Sequence, residues 1–82
     1  MYELRRTDTF KRDSEGLDKG VKERLKKVAA KVMENPERFK RLRGHTNFFR
    51  IRIEGYRLVY KMEGNVVTFL LLKKRDEAYR SL

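Results

Sequence analysis

The 82-residue sequence contains no cysteine and no tryptophan, and its one histidine is His45. A chain without cysteine has no disulfide framework, no thiolate metal site and no cysteine nucleophile. A single histidine cannot build a multi-histidine metal site, and His45 is expected in an exposed loop. We therefore expect neither a metal nor a cofactor.

Long apolar runs are also absent. No stretch approaches the roughly 18 consecutive apolar residues of a membrane helix, and the segment 1–6 lacks the apolar core of a signal peptide. The length leaves room for one domain, residues 1–82. We expect a cytoplasmic protein that does not bind membranes.

Acidic residues are scarce, with 12 Asp and Glu against 22 Lys and Arg, giving a net charge of +10. The imbalance is concentrated in residues 38–82, which hold 12 basic and 4 acidic side chains. A one-sign excess attracts polyanions, and nucleic acid is the commonest such partner.

The first half predicts one strand and two helices. Tyr2 and Leu4 alternate with charged residues, as in a strand, and Thr7 can cap a short helix that ends near Leu17. Asp18 can cap a second helix, which ends at Asn35-Pro36 because proline lacks a backbone N–H. Its apolar residues form one helical stripe: Val21, Leu25, Val28, Ala29 and Val32.

The second half predicts three strands after a basic connector, Arg38–Gly44. The strands cover residues 48–54, 56–62 and 66–72, separated by turns at Gly55 and at residues 63–65. The last strand is apolar on both faces and is expected in the sheet interior, with a charged tail from Lys73 onward. The predicted fold is α+β, β-α-α-β-β-β, with a helical hairpin on one face of a mainly antiparallel sheet.

Two segments carry a family resemblance. Residues 49–60, FRIRIEGYRLVY, and residues 73–80, KKRDEAYR, resemble the RelE/ParE toxin superfamily, particularly its RelE-like branch. The element order agrees with the RelE-like microbial RNase fold. The resemblance implies a toxin of a type II toxin–antitoxin pair.

The resemblance leaves the target open. RelE-like toxins cut messenger RNA in the decoding site of a translating ribosome, whereas ParE-like toxins inhibit DNA gyrase. Our main hypothesis is a ribosome-dependent mRNA endoribonuclease. The alternatives are a gyrase inhibitor and a non-catalytic module that binds nucleic acid or antitoxin.

Metal-free RNA cleavage can use the adjacent 2′-hydroxyl as nucleophile, with positive charge around the phosphate. Arg50 and Arg52 share a strand face by the period of two, and Arg57 can join them across the turn. Arginine binds phosphate bidentately but transfers protons poorly. All three could instead be structural or solvating residues.

The resemblance adds residues from the end of the chain to the candidate catalytic set. It matches Tyr79 to the closing tyrosine of RelE toxins and either Lys73 or Arg75 to their C-terminal arginine. Nearby cations would lower the Tyr79 pKa from about 10, favouring a role in proton transfer. Base stacking and anchoring of the tail are the other readings of Tyr79.

The remaining candidates are RNA-binding residues. Phe48 shares the face of Arg50 and could stack on a base or seat a partner protein. Lys74 stands where many ribosome-dependent relatives have histidine. With the connector residues, the predicted RNA-binding set is Arg41, Arg43, Phe48 and Lys74.

The resemblance also implies partners. They are the ribosome with its mRNA and a RelB-like antitoxin, expected to be acidic and partly disordered because it must neutralise a +10 protein. The free toxin is expected to be monomeric, with larger assemblies formed through the antitoxin.

Overall fold

Two helices and a five-stranded sheet form the part of the chain that the computed structural model describes, residues 1–44 and 47–74. In chain order the elements are β1 (Glu3–Arg6), α1 (Asp8–Glu15), α2 (Lys19–Glu34), β2 (Lys40–Arg41), β3 (Phe48–Ile53), β4 (Tyr56–Glu63) and β5 (Val66–Lys74). A short 3-10 helix, Pro36–Arg38, connects α2 to β2.

Side-chain caps fix where the two helices begin. The Thr7 hydroxyl accepts a hydrogen bond from the Phe10 N–H at 3.0 Å, and Asp18 Oδ1 accepts one from the Val21 N–H at 2.9 Å. Each cap satisfies a backbone donor that has no partner within its helix. The helix α2 ends at Glu34, directly before Asn35-Pro36, as the sequence predicts.

The strand order in the sheet is β1-β5-β4-β3-β2. The last three strands form an antiparallel meander, and β1 pairs with β5 in parallel. The predicted α+β fold and its element order are therefore confirmed. No helix in the described ranges is long and apolar enough to cross a membrane.

Two details of the sheet differ from the sequence-based expectation. The basic connector contains a two-residue edge strand, β2, which pairs with Phe49 and Arg50. Lys73 and Lys74, assigned to the tail, instead extend β5 and pair with Arg57 and Tyr56. In both places pairing with a neighbouring strand, rather than apolar alternation, determines the strand.

The main core lies between the helices and one face of the sheet. Four aromatic rings meet there: Phe49 stacks on Tyr60 with centroids 5.0 Å apart, and Phe10 meets Phe69 edge-on at 5.3 Å. The α2 stripe packs against the same core, with Val32 fully buried. This packing fixes which face of each strand points toward the helices.

A smaller cluster lies on the other face of the sheet. Val59 and Leu71 are buried there with Leu42, and Phe48 and Leu70 pack beside them. A register shift between Val59 and Tyr60 inserts Leu70 as an extra residue in β5. The sequence predicted that the last strand is apolar on both faces, and this cluster covers the face of β5 that points away from the helices.

The helix α1 covers the edge of β5 beyond the end of β1. The register of β1 stops at Phe69, and the next backbone groups of β5 bind residues at or beside α1. The Thr7 hydroxyl donates to the Leu70 carbonyl at 2.6 Å, and the Leu72 N–H donates to Asp13 Oδ2 at 3.1 Å. The exposed edge of β5 is thereby closed.

Tyr60 carries a buried polar group in this core. Its side chain is fully buried, and its hydroxyl donates to the Pro36 carbonyl at 2.5 Å. Burial raises the Tyr60 pKa well above its ordinary value of 10.0, with nearby Arg41 acting in the opposite direction. The hydroxyl therefore stays protonated and ties β4 to the segment after α2.

We expect Tyr60→Phe to lower the free energy of unfolding by about 1–2 kcal/mol, because the buried Pro36 carbonyl loses its donor. Tyr56→Phe is the matched control, since the half-buried Tyr56 hydroxyl binds no described residue. The control should stay within about 0.5 kcal/mol of the parent in urea unfolding. Equal losses in the two variants would contradict this role.

Candidate functional site

Strand alternation sorts basic residues onto the sheet face that points away from α1 and α2. In β3 and β4 every second residue packs into the main core. The residues between them include Arg50 and Arg52 of β3 and Arg57 and Lys61 of β4, which define what we call the basic face. The sequence-predicted grouping of Arg50, Arg52 and Arg57 on one face matches this arrangement.

Arg52 and Arg57 are direct neighbours across the β3–β4 hairpin. The two-residue loop Glu54-Gly55 joins the paired residues Ile53 and Tyr56, so Arg52 and Arg57 form the next pair. That pair exchanges no backbone hydrogen bonds, and the Cα atoms of such pairs lie about 4.5 Å apart. Like charges placed directly opposite each other destabilise a sheet. An anion bound between them would remove this cost.

The Arg57 side chain is unusually enclosed for a cation, with 8% of its surface exposed. It has no hydrogen-bond or ion-pair partner among residues 1–44 and 47–74. No buried side-chain nitrogen in those residues lacks a partner, so the Arg57 nitrogens must reach solvent. A buried cation normally pairs with a carboxylate. Arg57 instead presents its charge outward.

The opening reached by Arg57 is a groove of about 350 Å³ at the β2 edge of the sheet. Of the six residues that line it within 1–44 and 47–74, four are cationic and none is acidic. The lining consists of Phe39, Lys40, Arg50, Ile51, Arg52 and Arg57. Guanidinium groups bind phosphate oxygens through paired N–H donors, so the groove suits a phosphodiester.

Lys73 lies in the same row but is engaged elsewhere. Its backbone pairs with Arg57, which places Arg52, Arg57 and Lys73 side by side on three adjacent strands. However, Lys73 Nζ lies 2.8 Å from Asp13 Oδ1, and Lys73 does not line the groove. The Lys73 side chain is therefore apart from the groove formed by Arg50, Arg52 and Arg57, the arginines with which the resemblance grouped it.

The predicted RNA-binding residues lie in different places. Phe48 is on the basic face and packs against the smaller cluster. Lys74 pairs with Tyr56 and shares a pocket with Leu17 on the helix side of the sheet. The Arg41 guanidinium lies over the Phe49 ring, 5.0 Å from its centroid, also on that side. Of Arg41, Phe48 and Lys74, only Phe48 therefore lies on the basic face, and none of the three lines the arginine groove.

The other residues singled out from the sequence lie away from the groove or outside the described part of the chain. Arg75, Tyr79 and His45 lie outside the described residues. Arg43 is exposed in the turn before residue 45. The roles of Arg75 and Tyr79 stay predictions.

Sequence reasoning missed Lys40 and Asp13. Lys40 lines the groove because β2 pairs it with Arg50. The only sequence signal for Lys40 was its place in the basic connector, where no strand was predicted. Asp13 carried no signal, since its partners Leu72 and Lys73 lie about 60 residues later in the chain.

Comparison with known families decides the identity of the chain. The family model of the ParE toxin of type II toxin–antitoxin systems, parDE, matches residues 4–79. The chain belongs to the RelE/ParE toxin superfamily. Membership makes it a toxin of a type II toxin–antitoxin system and confirms the predicted family.

Solved structures support the same assignment. A chain of the intact E. coli RelBE toxin–antitoxin complex is 32% identical, with a TM-score of 0.81 over 90% of this chain and 96% of that one. The isolated E. coli RelE toxin is 31% identical, with a TM-score of 0.81 over 99% and 94% of the two chains.

A more distant structure shares the fold alone. It is a chain of the Methanococcus jannaschii RelB–RelE complex, 19% identical, with a TM-score of 0.77 over 95% of this chain and 98% of that one. A comparison with curated proteins finds no match.

We predict that inorganic phosphate stabilises this RelE/ParE toxin through the arginine pair. At ten times its dissociation constant, a bound anion adds about 1.4 kcal/mol, which raises Tm by roughly 6–11 °C in a domain of this size. Thermal unfolding in phosphate and in chloride at equal ionic strength measures the difference.

The Tm difference between phosphate and chloride should fall in Arg57→Met to the general effect of phosphate and persist in full in Arg24→Met, which removes an exposed charge from α2. The Arg24 control accounts for the general stabilising action of phosphate on proteins. An equal Tm difference between phosphate and chloride in both variants would show that the Arg52–Arg57 pair does not bind the anion.

Proposed function

We propose that this toxin is a ribosome-dependent mRNA endoribonuclease that cleaves RNA by metal-independent attack of a 2′-hydroxyl. One observation carries the proposal: the enclosed Arg57 guanidinium opens into a cationic groove beside Arg52 without a carboxylate partner in the described chain. A site built to hold a phosphodiester needs this kind of uncompensated charge.

The proposed reaction defines what the site must supply. The 2′-oxygen attacks the adjacent phosphorus and the bond to the 5′-oxygen breaks, leaving a 2′,3′-cyclic phosphate and a 5′-hydroxyl. A base takes the 2′ proton, and an acid protonates the departing 5′-oxygen. Negative charge grows on the phosphate oxygens in the transition state, so preorganised cations accelerate the step.

The arginines supply charge and position in this scheme. Arg52 and Arg57 would hold the phosphate oxygens from adjacent strands, and Arg50 would contact the same strand of RNA from within the groove. A guanidinium stays protonated at every relevant pH. Proton transfer must therefore come from other groups.

Tyr79 is our proposed proton-transfer residue, and Arg75 our proposed C-terminal phosphate contact. Both follow from the family resemblance of the ending KKRDEAYR. The engagement of Lys73 by Asp13 favours Arg75 over Lys73 as the C-terminal cation. Phe48 would stack on a base next to the cleaved phosphate.

The similarity to RelE supports the RNA target. The isolated RelE toxin is 31% identical over 99% of this chain. A gyrase inhibitor is the second candidate, because the matching family model is that of ParE. A non-catalytic member of the family is the third.

We also propose an acidic antitoxin as the partner of this toxin. The 32% identical E. coli chain and a 28% identical Mycobacterium tuberculosis chain both come from RelBE toxin–antitoxin complexes. An acidic segment laid over the basic face would neutralise Arg52 and Arg57 and block the groove. In this scheme residues 1–82 act as one cytoplasmic toxin domain, monomeric when free, that assembles further through the antitoxin.

The test is cleavage of a defined message in a translating extract, with 5′ ends mapped by primer extension. Cuts in frame with codons that vanish when initiation is blocked would support the ribosome-dependent nuclease. Intact messages with altered gyrase supercoiling would identify the ParE-like function. Intact messages with neither effect would identify a non-catalytic member.

We expect Arg57→Met to slow cleavage by about 10²–10³, the loss typical of one transition-state charge contact. Methionine keeps much of the side-chain volume, so circular dichroism should report the same fold. Arg24→Met is the matched control and should cleave at the parent rate. Undiminished cleavage by Arg57→Met would remove the residue from the mechanism.

Tyr79→Phe separates proton transfer from stacking, because phenylalanine keeps the ring and loses the hydroxyl. Proton transfer predicts a loss of about 10²–10⁴ in single-turnover cleavage and a changed pH profile. A parent-like rate would assign Tyr79 to stacking or to anchoring of the tail.

A further inference from the structure

Asp13 and Lys73 form the least exposed ion pair between described residues. Their side chains are 14% and 25% exposed, whereas each of the other ion pairs has a side chain more than half exposed. The pair joins α1 to the end of β5 with a distance of 2.8 Å between Lys73 Nζ and Asp13 Oδ1. It therefore fixes the Lys73 side chain more firmly than a surface contact would.

The position of Asp13 determines where the Lys73 ammonium lies. Asp13 Oδ2 accepts the Leu72 N–H, which points away from β4 toward the outer edge of β5. The carboxylate is therefore at that edge, on the side of β5 remote from Arg57. Lys73 binds it there and lines a pocket with Gly16 and Leu17 rather than the arginine groove.

The backbone register alone would have produced a row of three cations, Arg52, Arg57 and Lys73. Adjacent strands are about 4.8 Å apart, so three such heads could contact one stretch of RNA backbone. Each phosphate neutralised by a cation adds to salt-dependent binding that does not depend on sequence. Removing one cation from the row weakens that binding.

We propose that Asp13 is a positioning residue that holds Lys73 out of the RNA site and so limits the affinity of the toxin for free single-stranded RNA. The inference rests on the proposed function, because it assumes that RNA binds the basic face. In this proposal Arg52 and Arg57 contact the RNA phosphates, and Lys73 contacts RNA only in variants that lack the Asp13 carboxylate.

The experiment measures binding to a 2′-O-methyl RNA about 10 nucleotides long, which lacks the attacking hydroxyl. The association constant is followed against salt concentration for the parent, Asp13→Asn, Lys73→Met and the double variant. Asparagine keeps an oxygen that can accept the Leu72 N–H, so the β5 edge stays closed. Urea unfolding checks that each variant is folded.

The parent and Lys73→Met should show the same slope of association constant against salt, since Lys73 does not contact RNA in the parent. Asp13→Asn should bind more tightly, with a slope steeper by about 0.7, the value for one added phosphate contact on a single strand. The double variant should return to the parent slope. A purely structural role of Asp13 would not produce this reversal.

Asp8→Asn on the same helix is the charge-matched control, because it changes net charge equally from an exposed position. An equal steepening in Asp8→Asn would overturn the proposal, since net charge alone would explain the effect. A shallower slope for Lys73→Met in the parent background would also overturn it, because Lys73 would already contact RNA.

Arg57→Met separates this proposal from the proposed function. A slope reduced by Arg57→Met places RNA on the basic face, and any failure of the Asp13 variants then concerns Asp13 alone. A slope unchanged by Arg57→Met would overturn RNA binding at the basic face and the Asp13 proposal together.

Discussion

The pairing register of β3 with β4 is the constraint on which the rest of this toxin depends. It places Phe49 against Tyr60 in the main core and, on the other face, Arg52 against Arg57. Because side chains alternate along a strand, a slip of one residue would move the arginines into the core and the aromatic rings into solvent. One register therefore fixes both the stability of the domain and the geometry of its groove.

The register also creates a local conflict. Two arginines lie directly opposite each other, and one of them is 8% exposed. Like-charge pairing and partial desolvation both oppose folding. The dense aromatic core behind them offsets that cost, since Phe49, Tyr60 and Phe69 are almost completely buried. A domain with a well-packed core on one face can thus maintain on the other a pair of cations that no described carboxylate neutralises.

The sequence was sufficient for the parts of the fold that depend on local patterns. The caps Thr7 and Asp18, the α2 stripe and the alternation of Phe49, Ile51 and Ile53 each leave a periodic or positional signal. That alternation also put Arg50 and Arg52 on one face, and the short turn predicted at Gly55 suggested that Arg57 would join them. The central groups of the candidate site follow from these local rules.

The parts that the sequence could not predict depend on distant contacts. The strand β2 is two residues long and exists because Lys40 and Arg41 pair with β3, which no periodicity can reveal. The ion pair of Asp13 and Lys73 joins the first helix to the last strand, and its two residues are 60 positions apart in the chain. The sequence alone does not show this ion pair, and Lys73 is therefore interpreted from the sequence as one of several cations in a basic tail.

Charge placement, rather than total charge, distinguishes the groove from the remaining surface. The basic side chains of α1 and α2 are exposed to solvent, and Lys26 among them pairs with Glu23. The groove instead collects Lys40, Arg50, Arg52 and Arg57, and no acidic residue of the described part of the chain lines it. Arg50, Arg52 and Arg57 start from hydrogen-bonded strands, so little reorganisation is needed when a phosphate binds. Asp13 acts at the other end of the row formed by Arg52, Arg57 and Lys73. Its carboxylate closes the edge of β5 by accepting the Leu72 N–H, and it also binds the Lys73 ammonium and so holds this charge away from the arginines.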